Sequence, residues 1–221
     1  MKVGFICGYY SDTAEKVTGV KRPRNPPFYE AWMFCLAVKS GEYHRTFYIE
    51  REAGRLNIDD KNFNLVRPTF GEWAAKWAAQ LSSDPLVIVP VPSKDGVTGA
   101  DSYRSLKMAQ DALAGTAYAD SVFDGLRWNK QLLAAHEGGL RSRAEFVKVL
   151  EVQPGLDGKN VVLIDDLFTT GASLLACEDK LTAAGAKVLG AVTCGKAVYD
   201  AKEPPFKGRT FDLTEELADV K

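Results

Sequence analysis

Two uninterrupted apolar runs constrain the fold of this chain most strongly. They are residues 86–89 (LVIV) and residues 161–164 (VVLI). Runs of this kind are typical of parallel strands that are buried on both faces of a sheet. Helical patterns follow them at residues 100–113 and 173–184, and a further strand is predicted at residues 187–193. Strands that alternate with helices predict an α/β fold with a doubly wound, parallel sheet.

The other segments give weaker signals for secondary structure. They predict strands at residues 2–7, 43–50 and 117–123, and helices at residues 28–38, 71–81 and 141–150. Residues 201–221 are interrupted by prolines and then weakly helical. We therefore predict a single domain. Its parts would be an α/β core at residues 84–197, a small hood with flanking elements at residues 1–83, and a C-terminal tail at residues 198–221.

The charge balance limits the kinds of partner. With 28 Lys and Arg against 29 Asp and Glu, the formal net charge of the 221-residue chain is −1. A near-neutral chain is a poor candidate for binding nucleic acid through charge alone. The basic segment 21–24 and the aromatic residues after it (Tyr29, Trp32 and Phe34) are one candidate for a local nucleic-acid-binding patch. The alternative is a surface loop followed by the core-facing side of a helix.

Membrane and export signals are missing from the sequence. No stretch reaches the roughly 20 apolar residues of a membrane helix. The first residues read as a strand and lack the apolar stretch and cleavage site of a signal peptide. We therefore expect a cytoplasmic protein with no membrane partner.

The four cysteines are widely spaced. Cys7, Cys35, Cys177 and Cys194 include no C-x-x-C pair, which a zinc knuckle or a redox motif would need. Four cysteines in a chain of this length are also few for a disulfide scaffold. We interpret them as small, buried apolar residues.

The clearest functional signal follows the second apolar run. Asp165 and Asp166 stand where that strand would end, and a Thr-Thr-Gly-Ala-Ser turn leads from them into a helix. Two carboxylates at a strand end accept hydrogen bonds from vicinal hydroxyls, or help to hold Mg²⁺ that is shared with a phosphate. The turn supplies hydroxyl and N–H donors, and the helix N-terminus favours an anion. This combination predicts a sugar-phosphate site, whereas an ordinary capped turn would explain the acidic pair alone.

The same string, residues 161–173, closely resembles the phosphoribosyl-pyrophosphate (PRPP) motif of type I phosphoribosyltransferases. The resemblance implies that Asp165 and Asp166 contact the ribose hydroxyls of PRPP and its associated Mg²⁺. It implies that the 5′-phosphate is bound by Thr169, Thr170, Gly171, Ala172 and Ser173. The cofactor would be Mg²⁺, and the substrates would be PRPP and a nucleobase-like acceptor. A homodimer is also consistent with the family.

Other segments resemble the ComF-like branch of this family. Residues 89–96 look like the segment that leads into its pyrophosphate loop, residues 36–41 like its Leu-Lys-x-x-Gly segment, and residues 127–146 like its Arg…Gln…Leu…Arg…Phe stretch. The resemblance implies a pyrophosphate site at Ser93, Lys94 and Asp95, with catalytic roles for Lys94 and Arg141. It implies a flexible loop with candidates Arg127, Lys130, Gln131 and Arg143. Lys94 as a solvated loop lysine and residues 127–143 as a solvated helical surface remain alternatives.

Three departures from the family keep the function open. The sequence lacks the Cys-rich zinc-binding segment with which ComF proteins usually begin. Residues 100–105 replace the Arg-Gly-Phe-Asn-Gln run of that branch, and Thr169 stands where 6-oxopurine salvage enzymes carry an Asp. We expect Mg²⁺-dependent transfer of the phosphoribosyl group to a nitrogen nucleophile, with release of pyrophosphate. The alternative is a non-catalytic PRPP or nucleotide sensor, or an accessory protein of DNA metabolism or defence.

Overall fold

The computed structural model describes residues 1–10, 26–133, 139, 142–198 and 204–217. The strands among these residues are β1 (Lys2–Tyr10), β2 (Phe47–Arg51), β3 (Gly54–Ile58), β4 (Leu86–Pro90), β5 (Leu126–Trp128), β6 (Leu150–Val152), β7 (Asn160–Phe168), β8 (Lys187–Val198) and β9 (Arg209–Asp212). The α-helices are α1 (Pro26–Ser40), α2 (Val66–Ala78), α3 (Arg104–Leu113), α4 (Arg143–Val149) and α5 (Ala172–Ala183). None of these helices combines the length and the apolar character that a bilayer span requires.

Within the described residues, the central sheet has five strands in the order β4-β7-β8-β1-β9. The first four run parallel to one another, and β9 pairs with β1 in the antiparallel direction. Side chains of α1, α2 and α3 pack against one face of the sheet, and those of α5 pack against the other. The predicted α/β fold with a parallel sheet and helices on both faces is therefore confirmed.

The second apolar run explains why the sheet is covered on both sides. All four residues of the run, Val161, Val162, Leu163 and Ile164, are fully buried. Val162 and Ile164 belong to the cluster under α1, α2 and α3, whereas Val161 and Leu163 belong to the cluster under α5. Burying each such side chain contributes about 1.5–3 kcal/mol. A strand without a polar face is stable only where both faces are covered.

The N-terminal residues contribute more to the sheet than the predicted hood implies. β1 lies inside the sheet between β8 and β9, and α1 and α2 pack over it. Val3 and Phe5 contact one apolar cluster, and Ile6 and Cys7 contact the other. Of the described residues before 84, the β2–β3 hairpin forms a separate two-stranded sheet. The hood prediction thus differs from the structure at β1, α1 and α2, because apolar side chains on both faces of β1 require a central position.

Two weaker predictions of secondary structure are wrong. Residues 117–123 contain a short 3₁₀ turn at Ala119–Ser121, and only Val122 forms a β-bridge, with Ile88. The tail forms strand β9 at Arg209–Asp212 instead of a helix. β9 pairs with the backbone of β1, which would otherwise present unpaired N–H and C=O groups at the sheet edge. Long-range pairing therefore outweighs the weak helical preference of the tail.

Candidate functional site

The carboxyl end of β4 lies beside Ile164 of β7, and β7 continues from there to Phe168. Pro90 is paired with Ile164, and the N–H of Val91 donates to the carbonyl oxygen of Ile164 at 2.9 Å. The loop after β4 and the end of β7 therefore emerge at the same edge of the sheet. This is the edge at which ligands bind in open α/β sheets. Asp165 and Asp166 and the segment that contains Lys94 come together here.

Asp166 is buried between two cationic side chains. Its side chain points to the α1 and α3 side of the sheet, and the residue is 6% exposed. The Oδ2 atom lies 3.3 Å from Nζ of Lys39 and 3.6 Å from Nη2 of Arg104. Lys39 lies in the last turn of α1, and Arg104 is the first residue of α3. Two cations around one carboxylate leave a net positive charge at this point, which suits an anionic ligand.

Asp165 points to the opposite face, because successive side chains of a strand alternate. Its Oδ1 atom accepts a hydrogen bond from the N–H of Asp166 at 2.8 Å. Burial, together with the negative charge of Asp166, raises the pKa of Asp165 well above its ordinary value. The carboxyl group of Asp165 therefore keeps its proton to a higher pH than a solvated aspartate does.

We expect Asp165→Asn to stabilise the protein most at high pH. The pKa of Asp165 is higher in the folded state than in the unfolded state. The protonated carboxyl group therefore stabilises the fold fully at a pH below the unfolded-state pKa. This stabilisation is lost as the pH rises through the folded-state pKa. Asparagine does not titrate in this pH range, and it keeps the Oδ1 acceptor. Urea unfolding between about pH 4 and pH 8 measures this difference. A gain in stability that is equal at all pH values, or one shared by the exposed Asp60→Asn, would contradict it.

A glycine links β7 to α5. Gly171 is the N-cap residue of α5 and has φ of 78°, a left-handed conformation that favours glycine. It has no side chain with which to cap the helix, and the only side-chain acceptor described in this turn is Oγ1 of Thr170, 3.3 Å from the N–H of Ala172. Thr169 is exposed beside this turn. The hydroxyl of exposed Thr169 is thus a donor available to an anion at the start of α5, whereas Gly171 itself is covered by Leu213.

Ser93 and Asp95 hold the start of α3 in place. The N–H of Ser93 donates to Oγ of Ser105 at 2.9 Å, and the N–H of Ser105 donates to Oγ of Ser93 at 3.1 Å. Oδ2 of Asp95 accepts from the N–H of Arg104 at 2.9 Å. Burial raises the pKa of Asp95, but hydrogen bonds from Ser93 and Arg104 outweigh it and lower the pKa overall. These two residues therefore position Arg104, while Lys94 between them is exposed.

Two of the predicted loop cations are engaged in the fold. Arg127 is 7% exposed, forms an ion pair with Asp124, and donates through Nη1 to the carbonyl oxygens of Val97 at 3.0 Å and Ala100 at 2.7 Å. It therefore holds the chain between β4 and α3. Arg143 donates from Nε to Oδ2 of Asp179 at 2.6 Å and joins α4 to α5. Both arrangements differ from the flexible-loop role predicted from the sequence, because each guanidinium group has a structural partner.

The remaining loop candidates differ in what can be described. Lys130 is exposed. Gln131 donates from Nε2 to the carbonyl oxygen of Lys94 at 3.4 Å, so it contacts the segment predicted to bind pyrophosphate. Arg141, the predicted catalytic arginine, lies outside the described residues, and so does the basic segment 21–24.

Lys39 and Arg104 were not predicted as site residues. Lys39 belongs to a segment that resembles the family, yet the resemblance assigned it no role. Arg104 lies in the segment that departs from the ComF pattern. The only local feature that could have pointed to either residue is its position at the end of a helix, close to the carboxyl edge of the sheet. Their convergence on Asp166 depends on how α1 and α3 pack.

The donor chemistry of the site fits Mg²⁺ only as an ion shared with a substrate. Mg²⁺ prefers oxygen ligands and is usually bound by one or two carboxylates together with water and phosphate. Asp166 offers such oxygens beside Lys39 and Arg104, whereas the carboxyl group of Asp165 points to the opposite face of the sheet. Among the described residues, no third acidic residue joins them in a metal-binding group. The protein therefore offers part of a coordination shell, and a phosphate-bearing ligand would have to complete it.

Comparisons with known proteins give structural matches alone. No protein-family model and no curated protein sequence matches this chain. A crystal structure of an adenine phosphoribosyltransferase is similar over 75% of this chain and 91% of its own, with 14% identity and a TM-score of 0.42. Orotate phosphoribosyltransferase of Mycobacterium tuberculosis H37Rv, in complex with Fe(III) dicitrate, is similar over 76% of this chain and 83% of its own, with 17% identity and a TM-score of 0.38. At these values, neither similarity assigns a role to a residue of this chain.

Proposed function

We propose that this chain is a phosphoribosyltransferase that binds PRPP with Mg²⁺. It would transfer the phosphoribosyl group to a nitrogenous base or a related nitrogen nucleophile and release pyrophosphate. One observation carries the proposal. Asp166 is buried near the carboxyl end of β7 between Lys39 and Arg104. A short turn then leads to α5, whose N-cap residue, Gly171, has no side chain to cap the helix. PRPP combines a ribose diol with a monophosphate and a pyrophosphate, and this site offers groups for each.

The acidic pair and the glycine turn would hold the two ends of the ribose phosphate. Asp166 would accept hydrogen bonds from the ribose hydroxyls, and Asp165, whose side chain points to the opposite face, would support it by accepting from the N–H of Asp166. The turn from Thr169 to Ser173 would donate N–H and hydroxyl groups to the 5′-phosphate, where the helix dipole also favours negative charge. The diol and the phosphate lie on one sugar, and the acids and the turn lie on one continuous stretch of chain. This match in order along the chain supports sugar-phosphate binding.

The cations would stabilise the departing pyrophosphate. Transfer from PRPP breaks a glycosidic bond, so negative charge grows on pyrophosphate while the ribose becomes oxocarbenium-like. Fixed cations that face the developing charge lower the barrier most effectively when they are already in place. Asp95 holds the backbone N–H of Arg104, Lys39 lies in the last turn of α1, and exposed Lys94 adds a third positive charge at the same edge. Bound Mg²⁺ would supply further shielding of the phosphate charges.

A PRPP or nucleotide sensor without catalytic activity is the second candidate. It is favoured by the ion pair of Arg127, because this buried arginine would have to leave Asp124 before it could close over a reacting sugar. Such closure excludes water from a reactive glycosyl centre. A sensor would keep the binding groups at Asp166 and Gly171 and would release no pyrophosphate.

Thermal unfolding with PRPP and Mg²⁺ tests the proposal. A ligand at 100 times its Kd stabilises by about 2.7 kcal/mol, which raises the Tm of a chain of this size by about 5–10 °C. We expect this shift in the wild type and not in the doubly substituted Asp165→Asn, Asp166→Asn protein, and we expect pyrophosphate release with one or more members of a panel of bases. A shift without release on any base would favour the sensor. No shift, or an equal shift in the double variant, would overturn both functions.

A further inference from the structure

Three buried cysteines converge on the face of the sheet that α1 covers. Cys7 lies on β1, Cys35 on α1 and Cys194 on β8, and all three are fully buried. The Sγ atoms of Cys7 and Cys35 are 3.2 Å apart, and those of Cys35 and Cys194 are 3.9 Å apart. All three sulfurs lie within 4.8 Å of one another. The predicted burial of the cysteines is confirmed, but isolated apolar packing does not explain their convergence.

The packing around the cluster leaves room for the thiol of Cys35. A Cβ atom at Gly195 on β8 would lie 2.5 Å from Sγ of Cys35, so only glycine allows this approach. Cys177, the fourth cysteine, is equally buried but lies on α5 against the opposite face. The other three therefore form a distinct group drawn from three separate elements.

The spacing of the sulfurs matches a three-coordinate metal. A metal 2.3 Å from each of three sulfurs in one plane would place them about 4.0 Å apart (2.3 × √3). The distances of 3.2 Å and 3.9 Å and the limit of 4.8 Å bracket this value. No His, Asp or Glu side chain joins the group among the described residues. The ligand set is therefore sulfur alone, which excludes hard ions such as Mg²⁺ and Ca²⁺.

The number of ligands distinguishes among the soft metals. Structural zinc is almost always tetrahedral with four ligands, and full burial leaves no solvent to supply a fourth. Thiolates also favour Cu(I), which is stable with three sulfur ligands. Cu(I) binding would displace the protons of the coordinating thiols.

We propose that Cys7, Cys35 and Cys194 form a buried, three-sulfur binding site for a single Cu(I) ion. The ion would join β1, α1 and β8. Cys35 and Lys39 lie four residues apart on α1 and therefore share one side of the helix. A metal on Cys35 would hold the helix that brings Lys39 to Asp166. The site does not depend on the proposed transfer reaction, and metal binding alone tests it.

Competition with a chromophoric Cu(I) chelator tests the site. The full chain is kept reduced and free of oxygen, and it is loaded with Cu(I) either when folded or during refolding, since the cluster is buried. We expect one equivalent of Cu(I) to be retained, with three sulfur neighbours in X-ray absorption. Cys35→Ala and Cys194→Ala should each weaken binding by more than about 100-fold, beyond the 10–100-fold loss typical of outer-shell partners. Cys177→Ala, an equally buried control, should retain one equivalent.

Several outcomes would overturn the Cu(I) site. The first is that the wild type retains less than half an equivalent of Cu(I) under both loading conditions. The second is that Cys177→Ala loses as much Cu(I) affinity as the cluster variants. The third is that the protein binds tetrahedral Zn²⁺ in preference to Cu(I). A Cys7–Cys35 disulfide in protein kept reduced would also exclude it. Circular dichroism shows whether each variant is folded, and the wild-type result decides the question even if a variant is not.

Discussion

Asp166→Asn is expected to abolish the PRPP-induced shift in Tm and to lower kcat/KM for pyrophosphate release by at least about 100-fold. The substitution removes the charge that Lys39 and Arg104 share. It also replaces the carboxylate that is proposed to accept from the ribose hydroxyls with an amide that accepts through a single oxygen. Misplacing the sugar by about 1 Å would by itself account for a loss of that size. Steady-state release of pyrophosphate, with PRPP and the acceptor varied in turn, measures it.

The controls for Asp166→Asn separate chemistry from folding. Asp60→Asn changes an exposed carboxylate in the turn after β3 and should leave both kcat/KM and the Tm shift unchanged. Urea unfolding of the ligand-free variants shows how far each substitution alters stability. Asp166→Asn protein that is folded and still turns over within about 3-fold of the wild type would contradict the role assigned to this carboxylate, because a positioned group contributes far more than that.

Gly71→Ala is expected to lower the free energy of unfolding by about 3 kcal/mol or more, at the upper end of overpacking effects. Gly71 lies on the buried side of α2, where it crosses α3. A Cβ atom there would be 1.7 Å from the carbonyl oxygen of Ala112 and 2.4 Å from its carbonyl carbon. Both atoms belong to the backbone of a helix, so one helix must move. Because α3 begins with Arg104, this displacement would also disturb the cation beside Asp166.

Gly115→Ala is the matched control for Gly71→Ala. Gly115 follows α3, and a Cβ atom there would meet no atom within 4 Å. Its effect should stay within about 1 kcal/mol in either direction, since alanine mainly reduces the entropy of the unfolded chain. Urea unfolding of the two variants makes the comparison. Equal destabilisation by both would show that close contact between α2 and α3 does not require a glycine.

Local patterns in the sequence predicted the centre of the fold and one part of the site. The apolar runs at residues 86–89 and 161–164 identify β4 and β7, because a strand with no polar face must be covered on both sides. Asp165, Asp166 and the turn through Gly171 lie on one continuous segment, so their order along the chain already places acids, turn and helix N-terminus together. Each of these features depends on residues within about ten positions of one another, which is the range over which helix and strand patterns operate.

Only the tertiary structure showed which distant side chains meet these features. The sheet places Cys7 of β1 next to Cys194 of β8, and α1 adds Cys35 and brings Lys39 to Asp166. The packing of α3 brings Arg104 to the same carboxylate, while Arg127 pairs with Asp124 instead of closing over the site. Strand order and helix packing join residues far apart in the sequence, and no local periodicity specifies which of them become neighbours. Local sequence therefore predicts the acidic segment of β7, whereas long-range packing determines which cations meet Asp166 and which thiols lie together.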